Sequence, residues 1–178
     1  MNKIPTPPTP IRTITDVDKK NYTKTITNFY EDGSYCVKVH YEPDPEDNWT
    51  EQWYDNLNKL HRDSELGAAY IVSCPAGNGN VVSKEVYYIH GEVKRTDDGP
   101  THVRIKFAYQ GYHREKHSWT KNGVKHRTIG PAVMYKYFFT PNDPEYDSDK
   151  EVDHRLEKSI WYKEGVKQQT VNHISEDF

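Results

Sequence analysis

The stretch Trp119-Thr120-Lys121-Asn122-Gly123-Val124-Lys125-His126-Arg127-Thr128-Ile129-Gly130-Pro131-Ala132 decides how this chain is read. Asn122-Gly123 is a strong two-residue hairpin signal, since a type I′ turn needs positive φ at both central positions. An aromatic residue precedes it, a His-Arg pair follows it, and Gly130-Pro131 punctuates the returning strand. Pro fixes its own φ and lacks a donor, so this step bends or interrupts the strand at a fixed point. The same order returns as Tyr87, Gly91, Lys94-Arg95, Gly99-Pro100-Thr101, and as Trp53, Leu57, His61-Arg62, Gly67-Ala68-Ala69. Partial copies flank these at Phe29-Tyr30-Glu31-Asp32-Gly33 and Trp161-Tyr162-Lys163-Glu164-Gly165. Such self-similarity means stacked supersecondary units, because one copy alone cannot bury its apolar face. Trp53, Tyr87, Trp119, Trp161, His61, Arg62, His126, Arg127, Gly99 and Gly130 are therefore assigned to the structure of the repeat.

The segments between these signals alternate with a period of two. Thr25 to Phe29 leads into Asp32-Gly33, and Tyr35, Val37, Val39 and Tyr41 then point one way while Lys38 and His40 point the other. Thr101 to Tyr109 places Val103 and Ile105 opposite His102, Arg104 and Lys106. Ala132 to Phe139 places Val133, Tyr135 and Tyr137 opposite Lys136. The expectation is a mainly β chain, an antiparallel meander of repeated hairpins forming a twisted sheet. Residues 51–65 leave one short helix open, because Trp53, Leu57 and Leu60 also recur at helical spacing. Pro5, Pro7, Pro8 and Pro10 mark residues 1–20 as a flexible arm, with 21–178 as a single β-repeat domain.

Composition narrows the function classes. Hydrophobic residues make up only 34% of 178, while aromatics reach 13% with fourteen Tyr, so core-building falls to side chains with an apolar body and a polar tip. A net charge of −3 gives no global pull toward nucleic acid or anionic lipid, so nucleic acid is not the expected partner and any such binding needs a local patch. Cys36 and Cys74 lack paired spacing and read as reduced thiols of a cytoplasmic protein, with one disulfide left open. No apolar run approaches the roughly 18 residues of a membrane-crossing helix.

The order W-x-x-x-G-x-x-H-R-x-x-G-P-A resembles a degenerate aromatic/glycine repeat of bacteriophage and large-DNA-virus proteins. It is also similar to MORN repeats, which build meandering β-hairpin sheets. The resemblance covers about residues 29–167, with Lys94 replacing His in the Tyr87 copy and the turn Gly and the Pro missing from the Trp53 copy. It implies scaffolding, membrane or partner binding and a viral origin, and it supplies no catalytic residue.

Three constellations invite chemistry. His126-Arg127-Thr128 and His173-Ile174-Ser175 each satisfy the His-x-Thr/Ser pairing of two-histidine phosphoesterases, where the two rings act as acid and base across one phosphate. Asp143, Glu145, Asp147, Asp149, Glu151 and Asp153 alternate strictly, but no Gly supplies the turn of an EF-hand, so a solvated loop is expected. Lys38, His40, His102, Arg104, Lys106 and Lys136, with tyrosines nearby, form a basic and aromatic face if their strands share one side of a sheet. No motif calls for a cofactor or a metal. The leading expectation is a non-enzymatic viral protein that binds a host protein, in the cytoplasm or as a virion component, with homodimerisation covering an aromatic face. Sequestration of a small phosphorylated or nucleotide ligand is the alternative, and the phosphoesterase is the catalytic one.

Overall fold

The computed structural model describes residues 8–42, 48–75, 81–107, 112–139 and 154–173. Its strands are β1 (Arg12–Asp18), β2 (Thr23–Phe29), β3 (Tyr35–Tyr41), β4 (Trp49–Tyr54), β5 (Tyr70–Pro75), β6 (Val81–Val86), β7 (Tyr88–Ile89), β8 (Glu92–Val93), β9 (His102–Phe107), β10 (Tyr112–Ser118), β11 (Thr120–Lys121), β12 (Val124–Lys125), β13 (Val133–Phe139), β14 (His154–Lys163) and β15 (Val166–Asn172). Hydrogen bonding joins eleven of them in the order β1-β2-β3-β4-β5-β6-β9-β10-β13-β14-β15, an antiparallel meander. The two-residue strands pair separately, β7 with β8 and β11 with β12. The mainly β expectation holds, and no helix occurs among the described residues.

Each repeat copy has one job in this meander. A long strand arrives at the aromatic residue, a small hairpin projects, and the chain returns through the Gly-x-small step into the next long strand. Trp119 donates its backbone N–H to the Ala132 carbonyl at 2.9 Å, and its own carbonyl accepts from His126 N at 3.2 Å. Trp53 does the same with Ala69 at 2.8 Å and His61 at 2.9 Å. The small residues at this crossing are sealed, with Ala69 and Ala132 both 0% exposed, so no larger side chain fits where the two backbones meet. The hairpin tips His90-Gly91, Asn122-Gly123 and Glu164-Gly165 have φ of 49 and 84, 51 and 77, and 49 and 82 degrees. These are the paired positive values that a type I′ turn demands.

The structure departs from the sequence reading at residues 51–65. The helix left open at 51–65 does not form: Trp53 belongs to β4, and Tyr54 bridges back to Leu60. Asp55 closes that loop, its Oδ1 accepting from Leu57 N and Lys59 N at 2.9 Å each, while Leu57 sits 68% exposed at the tip. The helical spacing of Trp53, Leu57 and Leu60 is thus a coincidence of a tight loop stabilised by a buried carboxylate. Within residues 1–20, Arg12–Asp18 is a full strand paired to β2 from Arg12↔Phe29 to Asp18↔Thr23. Finally, the chain divides into two compact units, Met1–Cys74 with Lys84–Asp98, and Pro75–Ser83 with Gly99–Phe178. Cys36 and Cys74 are both free thiols, and burial pushes the Cys36 thiol up to about 12.

Candidate ligand-binding face

The His-Arg pairs explain themselves once the rings around them are measured. The Arg62 guanidinium lies 4.1 Å from the Trp53 ring centroid, Arg95 lies 3.9 Å from Tyr87, and Arg127 lies 4.0 Å from Trp119. A guanidinium on an aromatic face contributes about 0.5–2 kcal/mol, depending on how dry the site is. Arg62 Nη1 also donates to the Ala68 carbonyl at 3.2 Å, and Arg127 Nη1 to the Pro131 carbonyl at 3.3 Å. A Cβ on Gly67 or Gly130 would fall 3.3 Å from those same Nη1 atoms, at φ of +119 and +86 degrees. Glycine is required there twice over, for backbone and for room. In the Tyr87 copy Arg95 grips Asp97 through two bonds of 2.6 Å, just before Gly99.

The histidines latch the next hairpin. His61 Nδ1 accepts the backbone N–H of His90 at 3.2 Å, while Gly91 N donates to the Leu60 carbonyl at 2.8 Å. In the other unit His126 Nδ1 accepts from Glu164 N at 3.1 Å, while Gly165 N donates to the Lys125 carbonyl at 2.8 Å. An Nδ1 that accepts carries no proton, so each ring is held in one tautomer by the turn it grips. The first latch has an extra layer. The His61 and His90 rings stack 4.2 Å apart, and His90 Nδ1 lies 2.8 Å from the buried Asp55 carboxylate. That bond to His90 holds the Asp55 carboxyl down at about 2. Trp161 lies in β14 opposite Gln169, three residues before the turn that His126 grips.

A different geometry appears on the sheet itself. Register places Arg104 across from Lys116, Lys116 across from Tyr135, and Tyr135 across from Lys158. Partners in an antiparallel ladder share a face, so β9, β10, β13 and β14 present one row of Arg, Lys, Tyr and Lys. Lys106 and Arg114 pair one step along the same face. The Tyr135 ring has Lys116 Nζ at 5.4 Å and Arg114 Cζ at 5.5 Å from its centroid. Lys125 feels this neighbourhood, its pKa lowered by burial and then by the charge of Lys116. Among the described side chains of these four strands, no carboxylate shares the face.

The six basic residues singled out from sequence are not one surface. His102, Arg104 and Lys106 do share the face just described. Lys136 lies on the reverse, across from Glu115, which itself pairs with Ile105. The alternations of β9 and β13 are out of phase: the aromatic side of β13 coincides with the basic side of β9. Lys38 and His40 belong to the other unit. There Lys38 sits over the Trp49 ring at 4.2 Å and 3.8 Å from Glu51, its partner across the ladder. Lys116, Arg114 and Lys158 are missed by the sequence reading. The Arg-x-Lys of β10, matching Arg104-x-Lys106, is the signal that could have found the first two.

The two histidines of the phosphoesterase motif are held apart. His126 contacts Glu164 at the tip of the β14–β15 hairpin, whereas His173 Nε2 contacts Ser159 Oγ at 3.0 Å. At about 3.3 Å per residue, that stretch of β14 measures roughly 16 Å, which no single phosphate bridges. The acidic run 143–153 lies outside the described residues. Among the described residues, no three His, Cys, Asp or Glu side chains gather as a metal site, and no helix is long and apolar enough to cross a membrane. No protein-family model, curated protein or solved structure matches the chain.

Proposed function

We propose that this chain is a non-enzymatic binding protein that holds phosphorylated ligands on the cationic face of the second unit. The row Arg104, Lys116, Tyr135 and Lys158 carries the reading, because it supplies three cations and one ring with no carboxylate of the described side chains to neutralise them. Bonds from ionised donors to phosphate oxygens are about twice as strong as neutral ones, and a tyrosine ring offers an apolar surface beside them. The separation of His126 from His173 speaks against hydrolysis of what is bound. An NMR titration with thymidine triphosphate tests this: amides of β9, β10 and β13 should shift, and Lys116→Gln should abolish the response. Shifts confined to β2–β5, or none at all, overturn the reading.

A second reading, a protein partner held along a sheet edge, has one observation in its favour. β1 ends the strand order, and it is exposed along nearly its whole length, with Ile14 at 40% and Val17 at 57%. Edge strands of this kind accept an added strand unless charge blocks them. Thr15→Lys with Val17→Lys should then release proteins that the unmodified chain retains; an unchanged set of retained proteins removes this reading.

A further inference from the structure

The layout of the cations says more than their sign. Strands lie about 4.8 Å apart, so the row from Arg104 on β9 to Lys158 on β14 crosses three gaps and extends about 14 Å. The second pair, Lys106 and Arg114, lies two residues along, about 7 Å away. A mononucleotide presents its charge at one end and can engage only neighbouring members of such a row. A chain of phosphates engages all of it: at about 3.4 Å per phosphate, 14 Å accommodates roughly four, and fewer in a stretched strand. Tyr135 stands within the row, between Lys116 and Lys158 across the ladder, where a base attached to that backbone would meet its ring. The cations over Tyr135 are near the outer reach of about 6 Å for such contacts, so a base displaces them at small cost.

Resting on the phosphorylated-ligand reading, we infer that the ligand of this face is single-stranded nucleic acid, its backbone crossing β9, β10, β13 and β14 along Arg104, Lys116 and Lys158 with a base on Tyr135. Duplex suits the face less well, since its bases are already stacked and leave Tyr135 unused. The chain's net charge of −3 does not oppose this, because screening confines electrostatic attraction to within about 10 Å at moderate salt, and the row is a local feature.

Fluorescence anisotropy on the full chain, with oligothymidylates from the dinucleotide to the dodecamer, tests it. Affinity should climb with length until the row is spanned and then level off. The dodecamer should bind at least tenfold more tightly than thymidine triphosphate. The slope of log K against log salt should be about −2 to −3, as expected for three or four neutralised phosphates on a single strand. Tyr135→Leu should weaken the dodecamer about tenfold, in the range measured for base–aromatic stacking, while Tyr135→Phe retains binding. An unchanged melting temperature in Tyr135→Phe keeps that pair interpretable even if Tyr135→Leu unfolds. Equal affinity for thymidine triphosphate and the dodecamer overturns the nucleic-acid inference and leaves the phosphorylated-ligand reading standing. Duplex, inorganic polyphosphate or poly-aspartate binding as tightly as the single strand overturns it too. If neither the triphosphate nor any oligomer binds, both readings fall.

Discussion

Lys38 in the first unit and Lys116 in the second begin alike and end differently. Each is a strand lysine near an aromatic ring, Trp49 at 4.2 Å and Tyr135 at 5.4 Å. Across the ladder from Lys38 stands Glu51, which also accepts the Trp53 indole N–H at 2.7 Å and lies 3.7 Å from Arg62. Across from Lys116 stand Arg104 and Tyr135. One acidic residue turns the first face into part of the aromatic clamp, whereas among the described side chains of β9, β10, β13 and β14 no carboxylate shares the face of Lys116. The same repeat thus carries a carboxylate across from one strand lysine and an arginine and a tyrosine across from the other, and the proposed anion site rests on that one ladder position.

The largest effect should come from what the units share. Gly130→Val and Gly67→Val each force a β-branched residue to positive φ against an arginine, and each should cost about 3 kcal/mol in urea unfolding. A loss below about 1 kcal/mol in either shows that the clamp is not common to both. Next comes the difference between the faces. Tyr135→Glu places a carboxylate where Glu51 stands relative to its lysine, and should weaken dodecamer binding at least tenfold, about 1.4 kcal/mol. Retained affinity would mean that the ladder position does not decide charge, and the contrast of the units would collapse.

Acid separates the two latches. Asp55 is held at about 2, below its ordinary 3.8, mainly by its bond to His90. A carboxyl depressed on folding lends stability that is fully present above the ordinary value and is lost as pH falls through the depressed one. The second unit has Lys121 at the equivalent place, two residues beyond Trp119. Hydrogen exchange of the Gly91 amide should therefore accelerate relative to that of Gly165 as pH falls from about 4 to about 2. Parallel behaviour of the two amides removes Asp55 from the latch. The smallest effect concerns the turn residue: Glu164 has φ of 49 degrees, a conformation better suited to Asn. Glu164→Asn should raise stability by about 0.5 kcal/mol, and a lower melting temperature would contradict this.

Much of the fold was legible because its signals are local. Asn122-Gly123 and Glu164-Gly165 announce their turns, and the alternation of β3 and β9 announces their faces. The loop at Asp55 was not legible, since a strand ending in a buried Asx turn leaves the same apolar spacing as a helix. The site was half legible. Alternation tells which residues of one strand share a side, but the phase between strands is set by the Gly-x-small crossings and the turns. Alternation alone therefore puts Lys136 beside Arg104 and leaves Lys116 and Lys158 unassigned. The histidines were readable as repeated structure, yet their acceptor role needs the turn of the following hairpin, far along the chain.

Cys36 gives the first unit a clock. The residue is 3% exposed and burial pushes its thiol up to about 12, so in the closed form alkylating reagents find neither access nor thiolate. Modification must wait for β3 to part from its neighbours, and where alkylation outpaces reclosing the rate of labelling at Cys36 reads the frequency of that opening. The repeat thereby carries its own probe of how often the sheet breathes, needing no introduced thiol.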